Sequence, residues 1–572
     1  MNLVEIVGNR IKKHVLALGH SERSWRVLII DQSTAKLLHH TLPMSEVLSR
    51  NIAMVERIED MREPSTEFSA IYFISATSQN AKRIEKDVSQ KMYKSVFVVS
   101  ISDIEEKEER IFESVKKKVE KQREKTKGKE KEKEAFEFIY KCVIFDFIPL
   151  ASDVFHMETP YSYYTHKEEY LDDIADKIKG VYRTMQARCT PIPVGKYAKE
   201  LSDRIDSSGS SKLVIMERGS DVNTPFLHTF LFESLLWDLE LAGPGYVVES
   251  GHLDRRPAKK DTDPNKDSES ESESDDEKRL EITEDHKVWM SVRSKQLVET
   301  HKILTELIKE ETKTEEKEQK SNIKQLVKAV QELPAHTRTL KEIKIFMSLL
   351  EKCVEFFNSP GIKETAELEQ GISTGKNFSG HSFKHEVTKA LFSVLKTARL
   401  TQAEKHRLYI LYVLNYGSLQ RNEEERLIDR GYLSQKEIEV GEKIKKHLAG
   451  RKIKPVSKRT LPIARHVPLI ADVLTAIIKK DEHACRKMEI DLPGREEAIS
   501  GASLRKREFV FRQSVSQSTS HRRIMIVYFI GGASIAEISE VREIAQNTGQ
   551  TIIVGSTDIC SPNGMVLALN NL

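Results

Sequence analysis

The chain has 572 residues, too many for one compact core, and its length predicts about three to four domains of ~150 residues each. It carries 91 basic and 88 acidic residues, a net charge of +3, so no overall field draws it to nucleic acid. An odd set of five widely separated cysteines argues against a disulfide framework and a zinc site and indicates a reducing compartment: Cys142, Cys189, Cys353, Cys485 and Cys560.

The apolar stretches are too short to anchor the chain in a bilayer. The longest uncharged one covers residues 524–536, whereas a membrane span needs roughly 18 residues. Charged residues from Glu5 to Lys13 leave no apolar signal region at the N-terminus. We therefore expect a cytoplasmic protein that reaches a membrane only through its partners.

The N-terminal part has the pattern of an α/β domain. Apolar spacing predicts a helix over residues 3–18. Four apolar runs follow, at residues 25–31, 70–75, 95–101 and 142–148, and helical segments separate them. Strands that alternate with helices predict a parallel sheet, and we assign this first domain to residues 1–151.

Lysine and glutamate dominate residues 105–134. The first part, which includes Ile111 and Val115, is predicted to be an amphipathic helix. Residues 121–133 carry interleaved charges of both signs, which favours a solvated insertion over a basic binding arm.

A second α/β pattern begins with a strand over residues 212–217 and continues with a helix over residues 226–239. Matching strands return only near the C-terminus, at 523–530 and 550–555. The simplest interpretation is one sheet built from two distant pieces, with a helical domain inserted between them. We assign the second domain to residues 152–253 and 482–572, and the inserted domain to residues 254–481.

The inserted domain is predicted to open with an acidic loop, residues 254–285, whose Ser/Glu tract over 268–276 is too polar to order itself. A helical hairpin with a polar tip at 311–320 follows. Proline 334 comes directly after an apolar helix face, so we expect the helix to break or bend there. Further helices are predicted over residues 340–357, 384–398, 403–416 and 434–448.

Short motifs along the whole chain resemble the SM family (Sec-one/Munc-eighteen type) of syntaxin-binding proteins. They keep their order over about 540 residues, and together they are specific although no single one is decisive. The motifs are Trp25-Arg-Val-Leu-Ile-Ile-Asp-Gln32, Arg62-Glu-Pro64, Met216-Glu-Arg-Gly-Ser-Asp221, Arg407-Leu-Tyr-Ile-Leu-Tyr412, Gly531-Gly-Ala-Ser-Ile535 and Gly555-Ser-Thr-Asp-Ile559.

The resemblance implies a three-domain arch, with two parallel-sheet α/β domains and a mostly helical inserted domain. Domains one and three face each other across a cleft that holds a syntaxin-type helical bundle. The family's cleft charges correspond to Asp31, Lys36, Glu56, Arg62 and Glu63. Lys36 stands where arginine is usual, which loses a bidentate donor. We expect these charges to be exposed, so Glu56→Lys combined with Arg62→Glu is predicted to weaken syntaxin binding and to leave thermal stability nearly unchanged.

Two further family sites map onto this sequence by resemblance. Phe112 and Tyr140 match apolar positions of an outer pocket for the syntaxin N-terminal peptide. Cys142 falls where relatives carry glutamate, so this pocket is expected to be altered or silent. Pro334 matches a proline at the hinge of the helical hairpin, where helix extension is thought to expose a template surface for vesicle SNAREs.

The implied function is a SNARE-binding regulator of vesicle docking and membrane fusion in exocytosis, without enzyme activity or cofactor. The expected partner is a syntaxin-type SNARE, and the resemblance extends to an assembled SNARE bundle and a vesicle SNARE. The protein is expected to be a monomer that syntaxin recruits to the plasma membrane from the cytoplasm.

The alternative is a nucleotide-dependent enzyme on the α/β domains, and the glycine motifs disfavour it. Residues 371–377, Gly-Ile-Ser-Thr-Gly-Lys-Asn, have one residue too few between the glycines for a phosphate loop and follow a helix instead of a strand. Gly531 and Gly532 follow a strand but lack the third glycine of a dinucleotide motif, which favours close backbone packing. A nucleic-acid binder is also disfavoured, because the lysine run has no aromatic residues for stacking.

Overall fold

A computed structural model gives the fold of the chain. The residues that it describes are 1–19, 24–126, 136–159, 167–205, 209–241, 247–249, 279–282, 284, 286–318, 323–377, 381–382, 386–397, 400–448, 465–490, 524–562 and 564–566. The acidic tract at 268–276 and the lysine-rich residues 127–133 lie outside these ranges, so the predictions made for them stay predictions.

The first sheet has five parallel strands in the order β2-β1-β3-β4-β5. Its central strands are buried on both faces, as expected for a parallel sheet covered by helices. The strands are β1 (Arg26–Ile30), β2 (Ile52–Arg57), β3 (Ser69–Ile74), β4 (Val96–Ser100) and β5 (Phe138–Cys142).

Five helices belong to this first domain, among the described residues. The predicted N-terminal helix is present, although its second half, Lys12–Leu16, has the wider π-helical winding. The helices are α1 (Leu3–Ile11), α2 (Gln32–His39), α3 (Met44–Leu48), α4 (Ser78–Ser89) and α5 (Glu106–Thr126).

Three of the four predicted strands are confirmed, and the fourth was placed wrongly. The apolar run at 142–148 is not a strand: β5 ends at Cys142. Val143 bonds to the last residue of β4 and Phe145 to the residue after it, and Phe147 is buried in the core shared with the second sheet. The run is therefore apolar because it crosses between two sheets. Strand β2 was not predicted, because only one of its residues is buried.

The second sheet has six strands in the order β6-β7-β14-β12-β9-β8, and it draws on both ends of the chain. All neighbours are parallel except β6 and β7. Its strands are β6 (Ile148–Ala151), β7 (Val154–His156), β8 (Cys189–Val194), β9 (Ser211–Glu217), β12 (Met525–Ile530) and β14 (Ile552–Ser556). Short pairs elsewhere are β10 (Val247–Glu249) with β11 (Arg279–Glu281), and β13 (Ala533–Ser534) with β15 (Ile559–Cys560).

This sheet begins earlier in the chain than the sequence suggested. Strand β8 was missed because Pro191 and Pro193 interrupt it, yet an edge strand tolerates prolines whose missing N–H groups face away from the sheet. The glycine pair after β12 serves close packing, as expected. Gly532 has φ +95°, and a Cβ there would lie 2.0 Å from Cys560 Sγ.

Helices cover the second sheet and form the inserted part. The helices are α6 (Lys167–Met185), α7 (Lys196–Ser202), α8 (Phe232–Asp238), α9 (Lys287–Val292), α10 (Leu297–Glu318), α11 (Ile323–Phe357), α12 (Ile362–Thr374), α13 (Val387–Thr397), α14 (Gln402–Tyr416), α15 (Arg421–Asp429), α16 (Gln435–Leu448), α17 (Leu469–Lys479), α18 (Glu482–Lys487) and α19 (Ile535–Thr548). Single 3-10 turns lie at Arg218–Ser220 and Thr224–Phe226.

Helices α10 and α11 pack against each other as the predicted hairpin. We expected the helix to break or bend at Pro334, and the break is wrong, because α11 runs without interruption from Ile323 to Phe357, 35 residues. A proline removes one backbone donor and costs about 3 kcal/mol in a helix interior. The buried residues of the second half of α11, from Ile343 to Cys353, anchor the helix well enough to carry that cost.

The apolar core joins the parts of the chain. One cluster runs from the inner face of the first sheet through Phe147 and Phe155 to the second sheet and on to α12 and α14. A smaller cluster, centred on Trp289 and Phe346, holds the base of the α10–α11 hairpin. None of the helices in the described ranges combines the length and apolarity needed to cross a membrane.

Candidate functional site

Asp31 lies at the carboxyl edge of the first sheet, directly after β1, and it is 5% exposed. One carboxylate oxygen accepts bonds from the Thr34 backbone N–H (2.9 Å) and hydroxyl (2.9 Å), which caps α2. The other oxygen accepts from the Ser75 N–H (2.6 Å) and the Asn80 side-chain amide (3.3 Å). The carboxylate therefore joins β1, α2 and the start of α4, and it is not an exposed cleft charge.

This position is where an open α/β sheet usually binds its ligand. The strand order places β2 on one side of β1 and β3 on the other, so the connection after β1 and the connection after β3 run in opposite directions. Ligands of such sheets bind at the carboxyl ends of the strands at this switch point. Here the side chain of Asp31 and its hydrogen bonds occupy it.

Arg62 lies in a buried polar network on the outer face of the first sheet. Its guanidinium pairs with Asp87 at 2.8 Å, and the side chains are 6% and 8% exposed. The same guanidinium donates to the hydroxyls of Tyr72 (3.3 Å) and Tyr93 (3.4 Å). Tyr72 in turn donates to Asp87 at 2.7 Å, so every side chain of the network has a partner, although Arg62 Nε has none.

The expectation that Arg62 is an exposed charge is therefore wrong. Its reversal to glutamate would bury a second carboxylate beside Asp87, so stability would not stay unchanged as the sequence analysis predicted. Burial also raises the pKa of Tyr93 to about 12, which keeps this phenol neutral as a hydrogen-bonding group.

Glu56 shares this network from the edge of the sheet. It lies on β2, is half-buried, and accepts a long bond of 3.5 Å from the Tyr93 hydroxyl. Tyr93 thus contacts both Glu56 and Arg62, and the structure brings these two predicted site residues together. Glu63, one residue after Arg62, is exposed.

Lys36 is exposed on the last turn of α2, and its ammonium group pairs with Glu158 at 2.6 Å. This ion pair joins the first domain to the segment after β7. The pKa of the neighbouring His40 is lowered to about 4, mainly by burial and with smaller contributions from the charges of His39, His156 and Lys36. Lys36 therefore belongs to a junction between the two sheets rather than to the Glu56 network.

Exposed apolar side chains lie close to Glu56 and Glu63 along the chain. Four of them lie on α3, on β2 and in the loop after β2, and Met61 is fully exposed. Their exposed fractions are Met44 49%, Leu48 41%, Met54 37% and Met61 103%. We call these four residues, with Glu56 and Glu63, the β2 surface. Sequence reasoning missed its apolar part, although methionines in a polar segment were a usable signal.

The residues assigned to the outer peptide pocket lie together, but they contact each other. The Phe112 ring is fully buried at 0% exposure and packs 5.3 Å from the Tyr140 ring. The Tyr140 hydroxyl donates to Glu113 at 2.5 Å. Burial and this bond raise the pKa of Tyr140 to about 12. Only part of Tyr140 therefore faces outward.

Cys142 ends β5 and is exposed, and its thiol donates to the Ser102 carbonyl at 3.2 Å. Partial burial of the thiol raises its pKa, and the carboxylates of Asp103 and Asp146 raise it further. The thiol is thus protonated near neutral pH and serves as a weak donor. Within the described ranges, no group of three histidine, cysteine or carboxylate side chains is placed to hold a metal ion.

The profile of the Sec1 family matches residues 26–567. The "Protein transport protein sec1" of Dictyostelium discoideum is 20% identical over 620 residues, which covers 98% of this chain and 97% of that protein.

Two solved complexes have the same fold along the whole chain. One is the Unc18–syntaxin 1 complex from Monosiga brevicollis. The matching chain of that complex is 17% identical to this one and superposes with a TM-score of 0.73, and the match covers 100% of this chain and 99% of that chain. Vps45 in complex with the Qa SNARE Tlg2 gives 13% identity and a TM-score of 0.73, covering 100% and 98%. These likenesses confirm the predicted three-domain arch of two parallel-sheet α/β domains and a helical domain.

Proposed function

The chain belongs to the Sec1 family, and from this membership we propose that it binds a syntaxin-type SNARE and acts in vesicle transport. The observation that carries the proposal is the match of both sequence and fold over nearly the whole chain, including proteins solved with syntaxin 1 and with a Qa SNARE. The family resemblance that the sequence motifs predicted is thereby confirmed.

We propose the β2 surface as part of the contact with the SNARE helices. A SNARE helix in a bundle presents an outer face of alternating charges beside apolar residues, so a complementary surface needs both kinds of side chain. Exposed methionines supply apolar area that adapts to a partner's shape. Glu63 supplies an exposed carboxylate, while Arg62 holds the underlying tyrosines in place.

The protein is proposed to act by binding rather than by chemistry. Support comes from Asp31, whose hydrogen bonds occupy the switch point where a nucleotide or other small ligand of such a sheet would bind. Gly375 supports the same view, because it caps the end of α12 with φ +69° and does not form a phosphate loop.

The proposed step is exocytosis, with recruitment from the cytoplasm to the plasma membrane by a membrane-anchored syntaxin. The full-length likeness to the sec1 transport protein supports a role in protein transport. Assembled SNARE bundles and vesicle SNAREs are further proposed partners, and the α10–α11 hairpin is the proposed contact for the latter.

Affinity capture tests the proposal. The tagged full-length chain is incubated with detergent-solubilised membranes, and the bound proteins are identified by mass spectrometry. We expect a plasma-membrane Qa SNARE to be retained, and to be lost when Met54→Asp and Met61→Asp are introduced together. Retention of a Golgi or vacuolar Qa SNARE instead would overturn the exocytic step, and absence of every Qa SNARE would overturn the function.

A further inference from the structure

A chain of buried polar groups links the second α/β domain to the inserted helices, and His228 is at its centre. His228 is 2% exposed and lies between the 3-10 turn Thr224–Phe226 and helix α8. Its imidazole Nδ1 lies 2.8 Å from a carboxylate oxygen of Glu369 on α12. Its backbone N–H donates to the other oxygen of the same carboxylate at 2.9 Å.

Arg407 on α14 approaches His228 from the other side. Its guanidinium Nη1 lies 3.3 Å from His228 Nε2 and 3.1 Å from both oxygens of Asp238 on α8. Its Nε donates to the Phe226 carbonyl at 2.7 Å. Arg407 therefore binds both ends of the segment that carries His228.

These contacts define the tautomer of His228. An arginine only donates hydrogen bonds, so Nε2 is the acceptor for Arg407 and the proton sits on Nδ1. From there it is donated to Glu369. Burial alone would raise the pKa of Glu369, but the hydrogen bonds from His228 and the positive charge of Arg407 hold it below the ordinary value, so the carboxylate is an acceptor.

The same imidazole contacts the end of the hairpin helix. The His228 ring lies 5.7 Å from the ring of Phe356, the penultimate residue of α11. Two residues along, the Phe230 ring meets the Phe357 ring edge-on at 4.9 Å. The base of the 35-residue helix α11 therefore rests on the segment that Glu369 and Arg407 fix.

We infer that His228 is a positioning residue for the α10–α11 hairpin: its bonds to Glu369 and Arg407 orient the ring on which the end of α11 rests. A helix rises 1.5 Å per residue, so a small rotation at Phe356 is amplified at the far end of the hairpin. The direction of the hairpin is then set at its base, by side chains that are themselves buried: His228, Glu369 and Arg407. The effect on partner binding rests on the proposed function, whereas the effect on hairpin geometry does not.

The variant His228→Asn tests this inference. The asparagine amide keeps a donor for Glu369 but lacks the ring that contacts Phe356. With its nitrogen at the position of Nδ1, its oxygen does not lie at the position of Nε2, which accepts from Arg407. The matched control is His406→Asn. His406 is also buried, at 3% exposure, and precedes Arg407 on α14, but it bonds to the Glu437 carbonyl on α16 at 3.0 Å. Both variants replace a buried histidine by asparagine. The lost ring of His228 is the one that lies against Phe356 at the end of α11.

Hairpin geometry is measured by spin-label distances in the full-length chain without a partner. One label is placed at Glu306 on α10 and the other at Lys196 on α7, whose side chains are 59% and 81% exposed, after the exposed Cys142 is replaced by serine. We expect a single narrow distance in the unmodified chain and in His406→Asn, and a broadened or shifted distribution in His228→Asn. Equal distributions in all three proteins, or equal broadening in both variants, would overturn the inference.

Binding gives the functional readout. Affinity for a vesicle-type SNARE helix is expected to fall about tenfold in His228→Asn, while affinity for a syntaxin-type SNARE changes less than about twofold. If Phe356→Leu reproduces the altered distance, the ring contact is established as the route. If the distances change and the vesicle helix binds equally well, His228 does not position a binding surface and the functional half is overturned. Failure of the unmodified chain to bind any SNARE would refute the proposed function, while the distances still decide the geometry.

Discussion

The Arg62 network predicts that replacing one buried charge costs far more stability than replacing an exposed one. In Arg62→Leu, the Asp87 carboxylate stays buried at 8% exposure and loses its only cationic partner among the described residues. Breaking a buried ion pair in this way costs about 3–5 kcal/mol. Tyr72 still donates to Asp87, which favours the lower end of this range, about 3 kcal/mol.

Lys36→Leu is the matched control. Its ion pair with Glu158 has a similar length, 2.6 Å, but the side chains are 50% and 35% exposed, so its loss costs about 0–1 kcal/mol. The double variant Arg62→Leu with Asp87→Asn should recover part of the loss, because no unpaired charge stays buried.

A chain with several domains does not unfold in one step, so the measurement is amide hydrogen exchange in β3 and α4, which reports local opening free energies. We expect faster exchange there in Arg62→Leu and unchanged exchange in Lys36→Leu. If the two variants differ by less than about 1 kcal/mol, the buried network does not stabilise the sheet and the reasoning fails.

Three further predictions follow from single sites. Glu63→Lys should weaken syntaxin-type SNARE binding about tenfold without a change in melting temperature. The control Glu482→Lys, at a side chain 77% exposed on α18, should leave the affinity unchanged. If calorimetry gives the two variants equal affinities, Glu63 is not part of the contact. Pro334→Ala should slow amide hydrogen exchange around residues 334–338, because α11 already runs through this position and the variant removes the cost of the proline. The local opening free energy should rise by up to about 3 kcal/mol. Unchanged exchange would show that the proline does not destabilise the helix there. The pKa of His40 is lowered to about 4 by burial, with a smaller contribution from His39, His156 and Lys36, so its contribution to stability is complete above the unfolded pKa near 6.5 and is lost as the pH falls toward 4. The melting temperature of His40→Gln should therefore decrease less between pH 7 and 5 than that of the unmodified chain. Identical curves of melting temperature against pH would contradict this.

Much of the fold was predictable because buried parallel strands leave continuous apolar runs. The runs at 25–31, 70–75 and 95–101 became β1, β3 and β4. The run at 142–148 was misleading, since a segment that crosses a core between two sheets is as apolar as a strand. Strands β2 and β8 could not be predicted, because they lack a continuous apolar run. Both are edge strands, which accept exposed residues and prolines.

The candidate site was harder to predict, because a charged residue's burial depends on distant partners. The residues around Arg62 in the sequence do not indicate that it will contact Asp87 and Tyr93, which come from α4 and the loop after it. Asp31 could have been recognised, since an aspartate before Gln32-Ser-Thr is a typical helix N-cap. The His228–Glu369–Arg407 network joins segments 141 and 179 residues apart, and only the folded chain brings them together.

The most direct test of the account is calorimetry between the full-length chain and the purified cytoplasmic region of a plasma-membrane syntaxin-type SNARE. The account predicts a one-to-one complex with a dissociation constant below about 1 μM, weakened by Glu63→Lys and by Met54→Asp but not by Glu482→Lys. Absence of heat at concentrations up to about 100 μM for every Qa SNARE tried would contradict the claim that this chain binds syntaxin-type SNAREs.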